Sequence, residues 1–341
     1  MDQDLEKPVT AESMQSRARR LQRAIGAHAR ARDLRALVEL FSSMAIIACG
    51  YAIAISQWST SLLASVAAVP LIAIGLVRLF VVQHDCGHQA FFSSRTANLW
   101  AGRLCSALTL FPFSQWRNNH AAHHAGVGNL ERRGAGDVKT ITRSEYAEFS
   151  SAQKLIYRMY RHPLVLVGIG GAFYTMVRNR IPRRGTSEHG RENLTSSMSL
   201  NAFLMAVLAA AWETDILAFV GAISAPAIAL GGSIGIAFFF VGHQFESTFW
   251  AREADWDLTT AALYGSSFLK LPEPLGWVFG YVGTHHIHHL NSRIPFYNFG
   301  RCLSENEELL DWNVVSVADA ARATRLTVWD EEKSRLAEAT N

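Results

Sequence analysis

Four stretches of this sequence run for roughly 20 residues with few or no charges, and they constrain the fold more than any other feature. They lie near residues 34–55, 61–82, 198–212 and 216–241. An α-helix rises about 1.5 Å per residue, so about 20 residues cross a hydrocarbon core of about 30 Å. The third stretch is the shortest and needs its flanks to reach across. A soluble core helix rarely stays uncharged for so long. The sequence therefore predicts an all-α integral membrane protein with four transmembrane helices in two hairpins.

Charge placement orients those hairpins. Arg17, Arg19, Arg20, Arg23, Arg30, Arg32 and Arg35 precede the first stretch, and Arg178, Arg180, Arg183, Arg184 and Arg191 separate the second from the third. The short links are Gln57-Trp58-Ser59-Thr60, without charge, and one carrying Glu213 and Asp215 without a cation. Basic flanks stay cytoplasmic, which places both termini and the long loops on that side. The N-terminal arginines are first a topology signal, with anionic lipid headgroups as a further partner. The net charge of +3 is modest, and nothing points to nucleic acid. Residues 1–33 are too charged for a signal peptide. Cys49, Cys86, Cys105 and Cys302 form no C-x-x-C and suggest no disulfide framework.

Three regions follow: a basic arm (1–33), a four-span domain (34–303) and a charged tail (304–341) that is helical in pattern. Residues 91–113 read as an interfacial helix. Residues 125–153 read as a polar loop with a short helix after Thr142. Residues 155–177 read as a surface or re-entrant piece and 268–283 as another apolar, glycine-interrupted one. The four-span domain would carry its histidines on a cytoplasmic helical cap.

Thirteen histidines are present, and nine fall into four clusters. These are His84 and His88; His120, His123 and His124; the lone His243; and His285, His288 and His289. On a helix, positions i, i+3 and i+4 share a face, so each H-x-x-H-H is expected to aim three imidazoles at a single point. Random placement of the histidines would give one such motif about 0.02 times in this length. Nine imidazoles exceed the sites of one transition ion, whereas two ions with four or five nitrogens each use them all. Imidazole spacing alone admits Zn, Cu, Ni or Fe. There is no Glu-x-x-His, which excludes the carboxylate-bridged di-iron bundle. His286 lies about 100° round the helix from His285 and belongs beside the site or at the surface. His28, His162 and His189 read as core or surface residues, and Cys86 as packing. Partners that could fix the imidazole tautomers are Asp85, Asn119, Asn129, Asp137, Glu246, Asp255, Asp257 and Asn291. Thr284 is a candidate N-cap for the last histidine helix.

These residues resemble the membrane fatty acid desaturase family. His84-Asp-Cys-Gly-His-Gln-Ala-Phe-Phe92, Trp116-Arg-Asn-Asn-His-Ala-Ala-His-His124 and His285-His-Ile-His-His-Leu-Asn-Ser-Arg-Ile-Pro295 are similar to its three histidine boxes. Residues 128–137, 242–246 and 265–272 look like bacterial acyl-lipid desaturases. The resemblance spans about residues 35–300. It implies four spans, cytoplasmic boxes, and two irons on the nine histidines. The chain departs from some animal relatives at Phe239, where those place a water-bridging Asn, and its first box has three intervening residues rather than four. No His-Pro-Gly-Gly haem motif is present, so neither haem nor flavin is expected.

The resemblance implies O2-dependent insertion of a cis double bond into a fatty acyl chain. An unactivated methylene offers no acidity to a side-chain base, so a metal-based oxidant is required. The acyl carrier is expected to be a lipid rather than CoA. Two electrons would come from ferredoxin or a similar small carrier, with Arg183 and Arg184 as candidate contacts. The apolar pieces 91–113, 155–177 and 268–283 would help wall the acyl channel. A hydroxylase or ketolase using the same cage is the second reading. A metal-binding membrane transporter is the third, disfavoured because transport sites lie near mid-bilayer.

Overall fold

A computed structural model describes residues 11–134, 136–182 and 189–339. Arg183, Arg184 and residues 1–10 of the basic arm lie outside them. The arm forms α1 (Ala11–Ala24) and a short 3-10 turn (Ile25–Ala29). Its apolar side buries Ala18, Leu21 and Ile25. Its basic side is tied down, with Arg17 and Arg20 on Glu308 and Arg19 on Asp257.

The first long apolar helix is α2 (Asp33–Gln57), and α3 (Leu62–Val66) and α4 (Val69–Gly87) return beside it. Gly50 meets Ile72 and Gly75 meets Ile47, an antiparallel pairing in which an added Cβ would stand 2.5 or 2.6 Å from the opposing isoleucine. Small residues at such points let helix backbones approach closely. Next come α5 (Arg95–Thr109), which exposes Trp100, Leu104 and Leu108, and α6 (Phe113–Gly126).

The polar loop holds strand β1 (Ile141–Thr142) and α7 (Arg143–Ala147). Thr142 and Glu145 form a reciprocal capping box there, and this is the short helix expected after Thr142. The apolar stretch 155–177 is broken into α8 (Ser151–Arg161), a π-turn (Leu164–Ile169) and α9 (Gly170–Met176). Pro163 sits at the break, where its missing N–H and its ring interrupt the regular ladder.

Helix α10 (Gly190–Glu213) starts well before residue 198, so the shortest apolar stretch belongs to a 24-residue helix. Its polar first turns are held by α6, through Arg117 with Glu192 and Asn118 with Asn193. Then α11 (Leu217–Phe219), a π-turn (Val220–Ser224) and α12 (Ala225–His243) run as one apolar element that packs on α4 and α9. Among the described residues, four helical runs are long and apolar enough to cross a membrane: 33–57, 62–87, 190–213 and 217–243.

The remainder is α13 (Leu258–Tyr264), β2 (Phe268–Leu269), α14 (Glu273–Val278), α15 (His285–Leu290) and α16 (Phe299–Glu305), then β3 (Val314–Val315), α17 (Val317–Ala323), β4 (Val328–Asp330) and β5 (Arg335–Ala337). Two expectations are corrected here. The fold is mostly helical with little strand, as expected, but the tail, expected to be helical in pattern, carries β3, β4 and β5 beside α17. β2 pairs with β3 in parallel, and β4 lies between β1 (parallel) and β5 (antiparallel). The tail's Val314-Val315 and Val328-Trp329 are short β-branched and aromatic runs, suited to a pleated half-buried surface. They find partners in loop backbone beside the histidines. The second correction is Thr284, whose hydroxyl donates to Tyr281 O (2.6 Å) and makes no cap to α15.

Candidate metal centre

Every clustered histidine stands at or near a helix end. His84 lies in the last turn of α4 and His88 just beyond it, His120, His123 and His124 in the last two turns of α6, His243 at the end of α12, and His285, His288 and His289 along α15. The four elements converge so that the nine imidazoles form two groups, in each of which the donor atoms lie within 4.8 Å of one another. One group is His84, His88, His120, His124 and His288. The other is His123, His243, His285 and His289.

This overturns the expectation that each H-x-x-H-H aims its three rings at one point. Positions i and i+4 are about 40° apart around a helix, whereas i+3 and i+4 are about 100° apart. Accordingly His120 and His124 serve one group and His123 the other. His285 and His289 serve the second, while His288 crosses to the first. Each of α6 and α15 lends one ring to the group that the other helps build.

The ring nitrogens meet at contact distance. In the first group, Nε2 of His120 lies 3.0 Å from that of His84 and 3.0 Å from that of His124, which is 2.9 Å from that of His288. In the second, Nε2 of His243 is 3.1 Å from that of His123 and 2.8 Å from that of His285, and His285 is 3.1 Å from His289. The far nitrogens explain which atoms carry lone pairs. His84 Nδ1 donates to Asp85 (3.0 Å), His243 Nδ1 to Gly265 O (2.9 Å), and His123 Nδ1 to Asp137. Carboxylates and carbonyls only accept, so those protons sit on Nδ1 and the Nε2 lone pairs face inward.

Burial holds His88, His120, His124, His285, His288 and His289 well below the ordinary imidazole range, with neighbouring rings adding to desolvation. Neutral rings with converging lone pairs repel unless a cation lies between them. Two nitrogens bonded at about 2.1 Å and at a right angle stand about 3.0 Å apart, which is the separation found. The residues therefore fit a metal ion in each group.

Of the eight candidate partners, Asp85 and Asp137 reach ligand rings. Asp85 also accepts Phe296 N (2.7 Å). Asn119 lines the adjacent cavity without a hydrogen bond to a ring. The others stand elsewhere. Asn129 binds Glu253, Glu246 pairs with Arg335, and Asp257 caps α13 and holds Gln15. Asp255 lies in an exposed 3-10 turn, and Asn291 receives Arg293 N. His286 is fully buried against Phe268 and bonded to Leu309 O, burial pushing it down to about 4. His28 is buried beside Glu305, while His162 and His189 are exposed. Cys86 is fully buried, as its packing role required.

Three features escaped the sequence. Gly265 acts through its carbonyl, which every residue has. Gly242 gives way to a ring: a Cβ there would stand 2.6 Å from His285 Cδ2. The apolar cavity beside the rings, about 620 Å³, is walled by α4 and α12 as well as by the three pieces that were anticipated. Phe111, Phe173 and Val282 come from those pieces, Val77 and Phe80 from α4, and Ile228, Gly235 and Ile236 from α12. His84, His120, His285 and His288 open onto it.

The chain matches the family described as Fatty acid desaturase over residues 17–320. A Bacillus subtilis protein named "Fatty acid desaturase" is 30% identical over 330 residues, covering 96% of this chain and 92% of that protein. Two Synechocystis proteins align over shorter spans. The "sn-1 acyl-lipid omega-3 desaturase (ferredoxin)" is 28% identical, covering 68% of this chain and 64% of its own length. The "sn-1 oleoyl-lipid 12-desaturase" is 25% identical, covering 65% and 62%. With imidazoles in paired cages beside an apolar cavity, and a match over most of its length, the chain belongs to the fatty acid desaturase family.

Proposed function

We propose that this protein is an O2-dependent desaturase of lipid-bound fatty acyl chains, with an iron ion held by each imidazole group. The observation that carries the reading is two converging sets of imidazole nitrogens at one end of an apolar cavity of about 620 Å³. His84, His88, His120, His124 and His288 hold one ion, and His123, His243, His285 and His289 the other. Bound there, the iron pair supplies the oxidising equivalents from O2 that an unactivated methylene requires. The chain's own residues do the rest. Asp85, Asp137 and Gly265 O fix ring orientation through Nδ1. Phe80, Phe111 and Phe239 line an apolar surface that receives a hydrocarbon and leaves little room for water. Acyl orientation comes from the cavity's shape, since a methylene chain offers no hydrogen bond.

The four apolar helices are proposed to span a bacterial inner membrane as two hairpins, with both termini and the imidazole groups on the cytoplasmic side. There the cage is reachable by a small electron carrier, for which the name of one cyanobacterial relative supplies ferredoxin as the example. The test is expression in a host without such enzymes, followed by mass spectrometry of total fatty acids and iron analysis of the purified protein. The expected result is a new cis alkene, two irons per chain, and in His123→Ala loss of product and of one of the two irons. An oxygenated lipid in place of the alkene, or metal-free active protein, rejects the reading.

A further inference from the structure

The apolar end of the cavity is bounded by α9 and α12, and the glycines on these helices are not equivalent. A Cβ on Gly171 would stand 2.5 Å from Ser233 Cα, and one on Gly232 2.3 Å from Thr175 Oγ1. Those two glycines are explained by the close approach of the helices. Gly235 lines the cavity, and a Cβ built there meets nothing within 4 Å. Its φ is not in the left-handed region, so the backbone makes no demand for glycine. A glycine in mid-helix is less stable than alanine, and here neither packing nor conformation offsets the loss. What the missing side chain supplies is room inside the cavity.

The position of that room is informative. Gly235 lies one turn before Phe239, whose ring packs on His123 with centroids 5.2 Å apart. It lies eight residues before His243, about 12 Å along the helix axis. Ile228, also on the cavity wall, lies about 10 Å further on. A side chain at 235 would divide the cavity into a part beside the imidazoles and a part beyond. We propose that Gly235 is the residue that lets a long acyl chain extend past the metal cage, and so sets the chain length the enzyme accepts. The proposal rests on the acyl-desaturase reading for its substrate and on the cavity alone for its geometry.

The experiment expresses the full chain as wild type, Gly235→Ala, Gly235→Leu and Gly221→Leu in cells fed stearic or palmitic acid. Gly221 is the control: its Cβ also meets nothing within 4 Å, but it is exposed and outside the cavity. Gly235→Leu is expected to lower the ratio of desaturated stearoyl to desaturated palmitoyl product roughly tenfold, the scale on which pockets discriminate by a few methylenes. Gly235→Ala should shift it in the same direction by less, Gly221→Leu should not shift it, and iron per chain should match wild type throughout. An unchanged ratio in active Gly235→Leu overturns the proposal, and if that variant does not accumulate, an unchanged ratio in Gly235→Ala does so. Native mass spectrometry of the purified proteins with each fatty acid reads the same preference without turnover. A wild type that makes no alkene, yet whose stearic acid binding is lost in Gly235→Leu, refutes the desaturase reading and supports the role of Gly235. Equal binding of both acids by both proteins overturns the role itself.

Discussion

Replacing Gly242 by alanine should empty one metal group and leave the other filled. A Cβ at this position would stand 2.6 Å from His285 Cδ2, 3.0 Å from its Cγ and 3.1 Å from its Nε2. Carbon atoms settle at about 3.5 Å, so the ring must retreat by about 0.9 Å. The backbone of α15 is poorly placed to move instead, because His286 N donates to Ser267 O (3.1 Å) and Ile287 is fully buried. His285 Nε2 now lies 2.8 Å from that of His243 and 3.1 Å from that of His289. Metal–ligand distances tolerate only about 0.2 Å. A displacement several times larger removes His285 from the group of four, while the group of five has no share in that ring.

Alanine is a better helix former than glycine by about 1 kcal/mol, so the substitution should not destabilise α12 for want of helix propensity. The expected outcome is iron falling from two ions per chain toward one, thermal stability in detergent unchanged or slightly altered, and activity down about 10²-fold or more, as a misplacement near 1 Å can cost. Gly26→Ala, where a Cβ meets nothing within 4 Å, is the control and should keep both ions. Plasma emission analysis of metal per chain, with fatty acid analysis of the cells, decides the matter. A Gly242→Ala protein with full iron and full activity would refute the reasoning, because the clash it depends on would then be absorbed elsewhere.

Asp137→Asn should weaken metal binding by about 10–100-fold through loss of the carboxylate on His123 Nδ1. Chelator competition measures it, and Asp257→Asn, whose carboxylate caps α13, should leave affinity unchanged; equal effects would remove the distinction. His288→Ala and His289→Ala delete adjacent residues that belong to different groups, so each should leave one ion and the double variant neither. A double variant no worse than either single one would mean that the box feeds a single ion. The Glu145 carboxyl is held at about 2, first by its hydrogen bond from Arg133. Because that value is depressed, the contribution is complete above about pH 4.5 and is lost as pH falls from there toward 2. Helix melting in detergent should therefore show a steeper acid loss for wild type than for Glu145→Gln, and parallel curves would refute the assignment.

The histidines were legible because imidazoles at helical spacing are rare by chance, and the four apolar helices because uncharged runs of that length are rarer still in soluble folds. What the spacing could not tell was the division of each box. Three residues on one face look convergent in a helical projection, yet the angle between His123 and His124 sends them to separate groups once two helices face each other. The candidate partners failed for a related reason. Asp85 adjoins His84 in sequence and Asp137 lies on a loop folded back against His123, but Asp257 and Glu246, equally near in sequence to a ligand, face α1 and the tail. Nothing local distinguishes these carboxylates. The direction is set by loop closure, and for Asp257 and Glu246 by Gln15 of the arm and Arg335 of the tail. The tail strands were hidden because two- and three-residue strands carry too few side chains to show a period.

The tail's part in the site follows from its hydrogen bonds. Gly265 O receives His243, Ser267 O receives His286 N, and Ser267 N returns to Gly242 O. This short loop therefore orients one ligand and locates the helix that bears three more. Its own position is fixed by Asn313, whose side chain donates to Leu263 O and Ser266 O and whose carbonyl accepts Phe268 N, and by Val315 O, which accepts Lys270 N. Five residues before Asn313, Glu308 is gripped by Arg17 and Arg20 of α1. Each metal group moreover draws on both halves of the chain, since His288 joins ligands from α4 and α6, and His123 joins ligands from α12 and α15. Neither group is complete until the two halves have docked. Ions bound in these groups would couple metal affinity to docking of the two halves.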